Sequence, residues 1–354
     1  GYATTPLHDL KGLSRSLAVA EIHYKDEGPR FGLGSFKALG GSYAALLVLQ
    51  REIGKNLGQE ISLSDIRTGK YAKETANITL VSATDGNHGR SLAWGARRFG
   101  APCRIYIHAE VSEGRATAIC DFGAKVIRID GDYDDSVELA RNEAEENSWF
   151  VVSDTSWPGY YITPRDVMLG YGVMMHEIHE TLAQAPTHVF IQAGCGGFAG
   201  SVCASIQQYW GNQTPRIVIV EPELAKCLFE SSKADKVLFV KIHQETLMAG
   251  LSCGEASAIA WDIISQEASD FVTIPDAVVA PTVRLLAKSE SGDTVIEAGE
   301  SAVAGLAALI CAAKQGDVRE QLGLNESSRV LLFGSEGVTD QAIFDEIMTG
   351  DVYG

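Results

Sequence analysis

The sequence predicts an α/β fold. From residue 78 onward, short apolar runs typical of buried strands alternate with segments of helical periodicity, and the alternation recurs from residue 187. Several of the apolar runs end in a glycine-rich turn that opens a helix. Because parallel strands need long connections between them, this order predicts mostly parallel sheets with helices on their faces.

The first set of elements lies between residues 78 and 154. Its predicted strands are ITLVSA, CRIYIH, KVIRID and WFVVSD, and its predicted helices are RSLAWGARRFG, EGRATAICDFGA and SVELARNEAEEN. We expect Gly100 to close the first helix and Gly123 to lie near the end of the second, since glycine is the usual residue after a helix.

The second set contains the predicted strands THVFIQ, RIVIVE and RVLLFG and the helix SVCASIQQYW, and a long helix, GSYAALLVLQREIG, precedes both sets. Two such sets predict two lobes, each a twisted and mostly parallel sheet flanked by helices. We assign residues 1–75 and 166–354 to a large domain and residues 76–165 to a small domain. The lobes are expected to face a shared cleft, where ligands of open α/β sheets usually bind.

Composition narrows the range of partners. The chain has 46 acidic and 29 basic residues, and its formal net charge of −17 would repel a nucleic-acid backbone. It has no apolar run near the roughly 18 residues of a membrane span and does not start with an export signal, so we expect no membrane partner and a cytoplasmic location. The seven cysteines are too few for a disulfide scaffold and lack zinc-site spacing, so we expect no metal. Cys227 and Cys253 are expected to be free thiols, with a disulfide between them as the alternative.

Lys37 is a candidate nucleophile because of its surroundings. It lies in FGLGSFKALGGSYAALLVL, at the start of an apolar helix and between glycine-rich segments. Most lysines are solvated, and a lysine among apolar neighbours is uncommon unless it is paired or reactive. Desolvation favours the neutral amine, which is the nucleophile that Schiff-base chemistry requires.

The turn GCGG, residues 194–197, follows a strand and opens a helix. Backbone N–H groups at a helix N-terminus lie at the positive end of the helix dipole, so this turn is a candidate phosphate loop. It also reads Gly-x-Gly-x-x-Ala, and Glu221 ends the next strand, as in a dinucleotide-binding fingerprint. A dinucleotide-dependent oxidoreductase is therefore an alternative, although it leaves Lys37 without a role. A tight connection without any ligand is the other alternative.

The turn DGNHG, residues 85–89, also lies between a predicted strand and a predicted helix. The N-terminus of such a helix can bind a carboxylate or a ring substituent. Asp85 has a second possible role, because aspartate is a favoured N-cap residue. His88 likewise has the alternative of a hydrogen-bonded structural histidine.

Lys37, the DGNHG turn and the GCGG loop, in this order, resemble the fold type II pyridoxal-phosphate family of threonine and serine dehydratases. Within it, the chain is most similar to the ammonia-lyases that cleave diaminopropionate. The similarity extends through KDEGPRFGLGSFKALGGSYA, ATDGNHGRSLAW, VVSDTSWPGY, PTHVFIQAGCGG, VEPELAKC, MAGLSCGE, GESAVAGL and GSEGVTD. The chain departs from the family pattern at Cys195 and in YYITPRDV. The resemblance implies the two-lobed fold type II architecture, pyridoxal 5'-phosphate as cofactor, a small amino acid as substrate and a homodimer.

The resemblance also implies roles toward the cofactor. Lys37 would hold it as a Schiff base and transfer protons, Asn87 would hydrogen-bond its phenolic oxygen, and Ser335 would pair with its pyridine nitrogen. Backbone N–H groups would hold the phosphate, at Gly194, Cys195, Gly196 and Gly197. A hydroxyl beside the pyridine nitrogen does not enforce a protonated ring, which favours elimination over transamination.

Two acidic residues are candidates for contact with the substrate. Asp85 stands where dehydratases usually have a small residue, and a carboxylate there can act as acid or base opposite Lys37 and bind a second ammonium group. Asp154 matches a second acidic position of the subfamily and would hold the distal amine. His88 and Tyr133 match further positions of the cleft.

The reaction that this resemblance implies is α,β-elimination of D- or L-2,3-diaminopropionate to pyruvate and ammonia. Serine, threonine or 3-hydroxyaspartate dehydration on the same fold is the alternative. A non-catalytic amino-acid sensor would bind such a substrate without turnover.

Overall fold

The structure, a computed structural model, describes residues 1–84, 86–131 and 133–350. The strands in this part of the chain are β1 (Leu7–Asp9), β2 (Glu21–Asp26), β3 (Leu80–Ala83), β4 (Cys103–Ile107), β5 (Lys125–Arg128), β6 (Phe150–Val151), β7 (His188–Gln192), β8 (Arg216–Pro222), β9 (Asp270–Ile274) and β10 (Arg329–Gly334). The α-helices are α1 (Lys11–Ser16), α2 (Lys37–Leu57), α3 (Leu63–Arg67), α4 (Ala72–Thr75), α5 (Asn87–Phe99), α6 (Glu113–Cys120), α7 (Tyr133–Asn147), α8 (Ile162–Thr181), α9 (Gly197–Trp210), α10 (Cys227–Ala234), α11 (Ala258–Glu267), α12 (Val279–Ala287), α13 (Ala304–Lys314), α14 (Gly316–Gln321) and α15 (Gln341–Thr349).

The chain divides into two compact units, a first unit of residues 1–36 with 172–354 and a second unit of residues 37–171. The first unit contains a six-stranded sheet in the order β1-β2-β10-β7-β8-β9, in which only β1 is antiparallel to its neighbour. The second unit contains a four-stranded parallel sheet in the order β5-β4-β3-β6. The predicted α/β class with mostly parallel sheets is therefore confirmed.

The compact units differ from the predicted domains in two segments, residues 37–75 and residues 166–171. Residues 37–75, which we assigned to the large domain, group here with the four-stranded sheet because α2 packs along α5. The predicted domain boundaries remain a prediction, since a division by contacts does not test which residues move together.

Close packing between α2 and α5 determines where their first turns lie. A Cβ atom at Gly41 of α2 would lie 2.6 Å from the Ser91 hydroxyl oxygen of α5, and one at Gly95 of α5 would lie 2.8 Å from Ser42 Cα of α2. Real Cβ contacts are not this short, so glycine at both positions permits the approach of the two helices. The helices begin at Lys37 and Asn87, so this packing sets the placement of both residues.

A buried ion network in the first unit joins residues that precede Lys37 in the sequence to Glu177 of α8. Arg30 donates to Glu27 at 2.7 and 2.8 Å and to Glu177 of α8 at 2.7 and 2.8 Å. Lys25 donates to Glu177 at 2.6 Å, and the Thr5 hydroxyl donates to Glu27 at 2.6 Å. Burial would raise the pKa of Glu177, but its hydrogen bonds from Arg30 and Lys25 lower it to about 2. The network therefore ties the N-terminal segment and the loop after β2 to α8.

The described helices include none with the length and apolar character that a membrane span requires.

Candidate active site

Lys37 is paired with a carboxylate in the second unit. It is the first residue of α2, and its backbone carbonyl accepts a 2.6 Å hydrogen bond from the Ser91 hydroxyl. Its side-chain amine donates to the Asp154 carboxylate, and the two side chains are only 22% and 16% exposed. We expected apolar surroundings that favour a neutral amine, but a neighbouring carboxylate favours the ammonium form. Lys37 is thus a largely buried, paired lysine rather than an isolated one.

Asp154 remains ionised because of its neighbours. Burial alone would raise the pKa of Asp154. The charges of Lys37 and His88 outweigh this effect, so the pKa lies well below its usual range. The loop that carries it is fixed by Tyr160, whose hydroxyl donates to the Val151 carbonyl at 2.8 Å and accepts from the Ser153 N–H at 3.1 Å. The result is a permanent negative charge in a held position, which suits the binding of an ammonium group.

His88 faces the same carboxylate with a defined tautomer. Its Nε2 lies 2.8 Å from the Val152 carbonyl, and a carbonyl can only accept, so Nε2 carries a hydrogen. Its Nδ1 lies 3.8 Å from Asp154 Oδ2. His88 combines the structural role that we considered with a position beside Lys37 and Asp154.

The other predicted residues of this unit lie at helix starts. Asn87 is the first residue of α5, and Gly89 follows in the same turn, where a Cβ would lie 2.6 Å from Thr84 Cγ2. Tyr133 is the first residue of α7 and is 37% exposed. Asp85 lies outside the described residues, so its predicted role stays a prediction.

The GCGG loop of the first unit has the geometry of an anion cradle. It follows β7, and Gly196 has φ +93° and directly precedes the 14-residue helix α9, which starts at Gly197. A Cβ at Gly194 would lie 3.3 Å from Leu251 Cα, and one at Gly196 would lie 3.0 Å from Ile264 Cδ1. A loop packed this tightly at the start of a helix suits a phosphate, because the backbone N–H groups of a helix N-terminus lie at the positive end of the helix dipole.

Ser335 directly follows β10, with its hydroxyl held by Gln192 at the end of β7. Gln192 Nε2 donates to the Phe333 carbonyl at 2.7 Å, which fixes the orientation of the amide, and to Ser335 Oγ at 2.9 Å. The Ser335 hydroxyl thus accepts from Gln192, so its own hydrogen is available to another acceptor. Gln192 was missed in the sequence, where its signal was a polar residue ending a strand that is otherwise apolar.

Glu221 is engaged in a helix cap. Its buried carboxylate accepts from the backbone N–H groups of Leu228 at 2.8 Å and Phe229 at 2.6 Å, in the first turn of α10. Burial raises the pKa of Glu221 to about 8, against the lowering effect of these two hydrogen bonds. A carboxylate engaged in this way is not presented to a ribose, which removes the observation that favoured a dinucleotide.

These features fit pyridoxal phosphate. The cofactor needs a lysine amine, a phosphate cradle and a partner for its pyridine nitrogen. The second unit has the amine at Lys37, and the first unit has the GCGG loop and the Ser335 hydroxyl. Within residues 1–84, 86–131 and 133–350, no group of three or more histidine, cysteine or acidic side chains is arranged to hold a metal ion.

Comparison with known families agrees with this geometry. The family described as pyridoxal-phosphate dependent enzymes matches residues 1–334. The chain belongs to this family, and its cofactor is pyridoxal phosphate.

Individual relatives within the family are named for particular reactions. The chain is 38% identical to a diaminopropionate ammonia-lyase of Salmonella typhimurium, over 98% of this chain and 88% of that protein. A crystal structure of the holo diaminopropionate ammonia lyase from Escherichia coli is similar with a TM-score of 0.91 and 34% identity, over 100% of this chain and 89% of that one. A probable D-serine dehydratase of Aeromonas hydrophila is 24% identical over 84% of this chain and 68% of its own length.

Proposed function

We propose that this chain is an ammonia-lyase that converts 2,3-diaminopropionate to pyruvate and ammonia. The observation that carries the proposal is the largely buried pairing of Lys37 with Asp154, beside His88. This carboxylate already holds one ammonium group, and diaminopropionate brings a second one at its β-carbon. A substrate hydroxyl would leave the charge of Asp154 without a cationic partner once Lys37 moves, which is costly in a largely buried site. The similarity to diaminopropionate ammonia-lyases supports the same substrate.

The residues of the second unit supply binding and proton transfer. Lys37 would hold the cofactor covalently, and its side-chain amine would move the α-proton of the substrate. Asp154 would hold the distal ammonium, and the His88 ring lies beside the same carboxylate oxygen. We also propose that Asp85 serves as acid or base on the opposite substrate face, which would allow both enantiomers to react.

The residues of the first unit bind and orient the cofactor. Bound pyridoxal phosphate supplies an electron sink for the negative charge that develops at the α-carbon. We propose that the backbone N–H groups of residues 194–197 hold its phosphate and that the Ser335 hydroxyl donates to its pyridine nitrogen. Asn87, from the second unit, would bond to its phenolic oxygen. Tyr133 stays a candidate substrate contact.

A substrate panel tests the proposal. The holoenzyme is assayed with D- and L-diaminopropionate, D- and L-serine, L-threonine and 3-hydroxyaspartate, with 2-oxo acid and ammonia measured together. We expect the highest kcat/KM on diaminopropionate, with two ammonia molecules released per pyruvate. A higher kcat/KM on serine or threonine, with one ammonia per 2-oxo acid, would establish the dehydratase alternative instead. Binding without any product would establish the sensor.

A pair of variants tests the role of the carboxylate. Asp154→Asn removes the charge beside Lys37, whereas Asp166→Asn removes a buried carboxylate of the same unit that pairs with Arg51 at 2.5 Å. We expect only the first variant to lose its preference for diaminopropionate over serine. Equal effects of the two variants would mean that Asp154 has a structural role only.

We further propose that the enzyme is a cytoplasmic homodimer. The dimer is supported by resemblance to the family, and the location by the seven cysteines, which the structure has as free thiols. Sedimentation of the purified holoenzyme tests the first point, and a monomer at micromolar concentration would contradict it. Fractionation of the source cells tests the second.

A further inference from the structure

Gln192 is a polar residue in the buried sheet of the first unit. It ends β7, and the neighbouring parallel strand β10 is followed directly by Ser335. Gln192 is 1% exposed and Ser335 is 4% exposed. A buried side-chain amide costs free energy unless it is hydrogen-bonded, so the partners of Gln192 indicate what it does. The proposed elimination assigns it no role so far.

Two backbone carbonyls determine the orientation of the Gln192 amide. Nε2 lies 2.7 Å from the Phe333 carbonyl oxygen and 3.3 Å from the Ala302 carbonyl oxygen. Carbonyl oxygens only accept hydrogen bonds, so the atom that contacts both must be the NH₂ group. The reversed amide would place its own oxygen against both carbonyl oxygens, which is unfavourable.

The same NH₂ group determines the direction of the Ser335 hydroxyl. It donates to Ser335 Oγ at 2.9 Å. An amide NH₂ group donates and does not accept, so Ser335 cannot give its hydrogen to Gln192. The backbone of Ser335 is also fixed, because its carbonyl accepts a 3.0 Å hydrogen bond from the Phe36 N–H. Both the place of the hydroxyl and its polarity are therefore set by the protein.

The polarity of a hydroxyl matters beside a pyridine ring. An unprotonated pyridine nitrogen accepts a hydrogen bond, whereas a protonated one donates. A hydroxyl that presents its hydrogen stabilises the unprotonated ring, and a hydroxyl that presents its oxygen stabilises the protonated ring. A serine hydroxyl without other partners can do either, because its hydrogen rotates to suit. The amide of Gln192 removes this choice from Ser335.

We propose that Gln192 is a positioning residue that keeps the ring nitrogen of bound pyridoxal phosphate unprotonated, because it holds the Ser335 hydroxyl as a donor. The proposal rests on the pairing of Ser335 with that nitrogen, which belongs to the proposed function. An unprotonated ring withdraws less charge from the α-carbon. This suits an elimination, in which the leaving group at the β-carbon takes up the negative charge. Gln192 thus contributes to the choice of reaction rather than of substrate.

Two substitutions change the partner of Ser335 in different ways. In Gln192→Glu, an ionised carboxylate accepts the Ser335 hydrogen, so the hydroxyl turns its oxygen toward the ring. Gln192→Met keeps a similar size and removes the donor without adding a charge. We expect the ratio of protonated to unprotonated ring nitrogen to rise roughly tenfold or more in Gln192→Glu, about the effect of one hydrogen bond. A smaller rise is expected in Gln192→Met, where the hydroxyl is free to take either direction.

Nuclear magnetic resonance of the ring nitrogen measures this ratio without reference to activity. The holoenzyme and each variant are loaded with cofactor that is isotopically labelled at the ring nitrogen, and the chemical shift is measured at neutral pH without substrate. Gln50→Glu is the matched control, since the Gln50 amide also donates to a backbone carbonyl, that of Ile61, at 2.6 Å in the second unit. We expect this control to have the wild-type shift.

Ser335→Ala separates an effect through the hydroxyl from a direct effect of the added charge. Gln192→Glu should raise the ratio when Ser335 is present and not in the Ser335→Ala background. An equal rise in both backgrounds, a wild-type ring that is already protonated, or no rise in either Gln192 variant overturns the proposal. If Gln192→Glu does not fold, Gln192→Met decides alone. A wild-type shift in Ser335→Ala would instead refute the pairing of Ser335 with the ring, and thus that part of the proposed function.

Discussion

Replacement of Glu177 by glutamine tests the buried ion network. The wild-type carboxylate accepts hydrogen bonds from both Arg30 and Lys25, and all three side chains are buried. An amide keeps the size of the side chain but has no charge and turns an NH₂ group toward one of the cations. Removing one partner of a buried pair costs about 3–5 kcal/mol because a charge is left uncompensated. We expect a loss of this size in the free energy of unfolding at pH 7.

The pKa of Glu177 gives an independent estimate and a pH dependence. It falls from 4.5 to about 2 on folding. A shift of this size corresponds to about 3 kcal/mol of stabilisation by the ionised form. Because the folded pKa is the lower one, this stabilisation is complete well above pH 4.5 and is lost as the pH falls through about 2. The difference between wild type and Glu177→Gln should thus be constant above pH 6 and narrow below pH 4.5.

Urea unfolding at several pH values measures this difference, with pyridoxal phosphate saturating throughout because a bound cofactor shifts apparent stability. Asp65→Asn is the matched control, since Asp65 forms a 2.8 Å ion pair with Lys70 on the surface. Exposed pairs contribute about 0–1 kcal/mol. If Glu177→Gln costs no more than this control, or if the difference does not narrow at low pH, the reasoning is refuted.

Four further predictions concern the site. Lys37→Ala should abolish covalent attachment of the cofactor and turnover, and borohydride trapping with peptide mapping checks this; a trapped adduct on another lysine would refute it. Gly196→Asp should weaken cofactor binding at least tenfold, because it places a negative charge and a strained left-handed residue in the phosphate loop. Gly323→Asp is the control and should leave cofactor binding unchanged, since residue 323 also has a positive φ, +70°, and nothing lies within 4 Å of its Cβ. Asp154→Asn should lower kcat/KM on diaminopropionate about 100-fold or more with the fold intact, as expected for loss of a charged contact, and an unchanged value contradicts its role. Asp85→Asn should reduce activity on one enantiomer far more than on the other, and equal minor losses would indicate a helix cap.

The strands that are buried on both faces were predictable from local sequence. HVFIQ, RIVIVEP and RVLLFG are wholly or almost wholly buried in the sheet, and such strands produce the continuous apolar runs that we used. β2 was missed because its sequence, EIHYKD, contains charges. Lys25 can lie buried in this strand because Glu177, 152 residues away, accepts its hydrogen bond together with the Thr5 carbonyl. Local pattern contains no information about that partner.

Helix α8 was missed for a similar reason. Its sequence contains Pro164, Gly170 and Gly172, which disfavour a helix when considered locally. Pro164 lies in the first turn, where proline is tolerated. Gly170 is required by packing, since a Cβ there would lie 2.5 Å from the Leu39 carbonyl oxygen. Glycine at position 170 therefore disfavours the helix locally but permits its close contact with α2.

In the candidate site, too, some features were predictable from local sequence and others depend on distant residues. The glycine loop and the helix that begins at Lys37 follow from local signals. The pairing of Lys37 with Asp154 joins residues 117 positions apart, and only resemblance to a family pointed to Asp154 in the sequence. The neutral amine expected at Lys37 stays a prediction, and its apolar neighbours in sequence gave no sign of the carboxylate that lies beside it in space.

The position of β2 has a consequence for biosynthesis. β2 lies between β1 and β10, and its pairing with β10 joins residues about 300 positions apart. At 5–20 residues per second, the ribosome releases β2 roughly 15–60 s before β10. During this interval β2, paired only with β1, has an open edge of N–H and C=O groups that can pair with other chains. The second unit has all of its sheet strands within residues 37–171 and can complete its sheet much earlier. Within this sheet, the β1–β2 pair is thus the part that waits longest for its next strand.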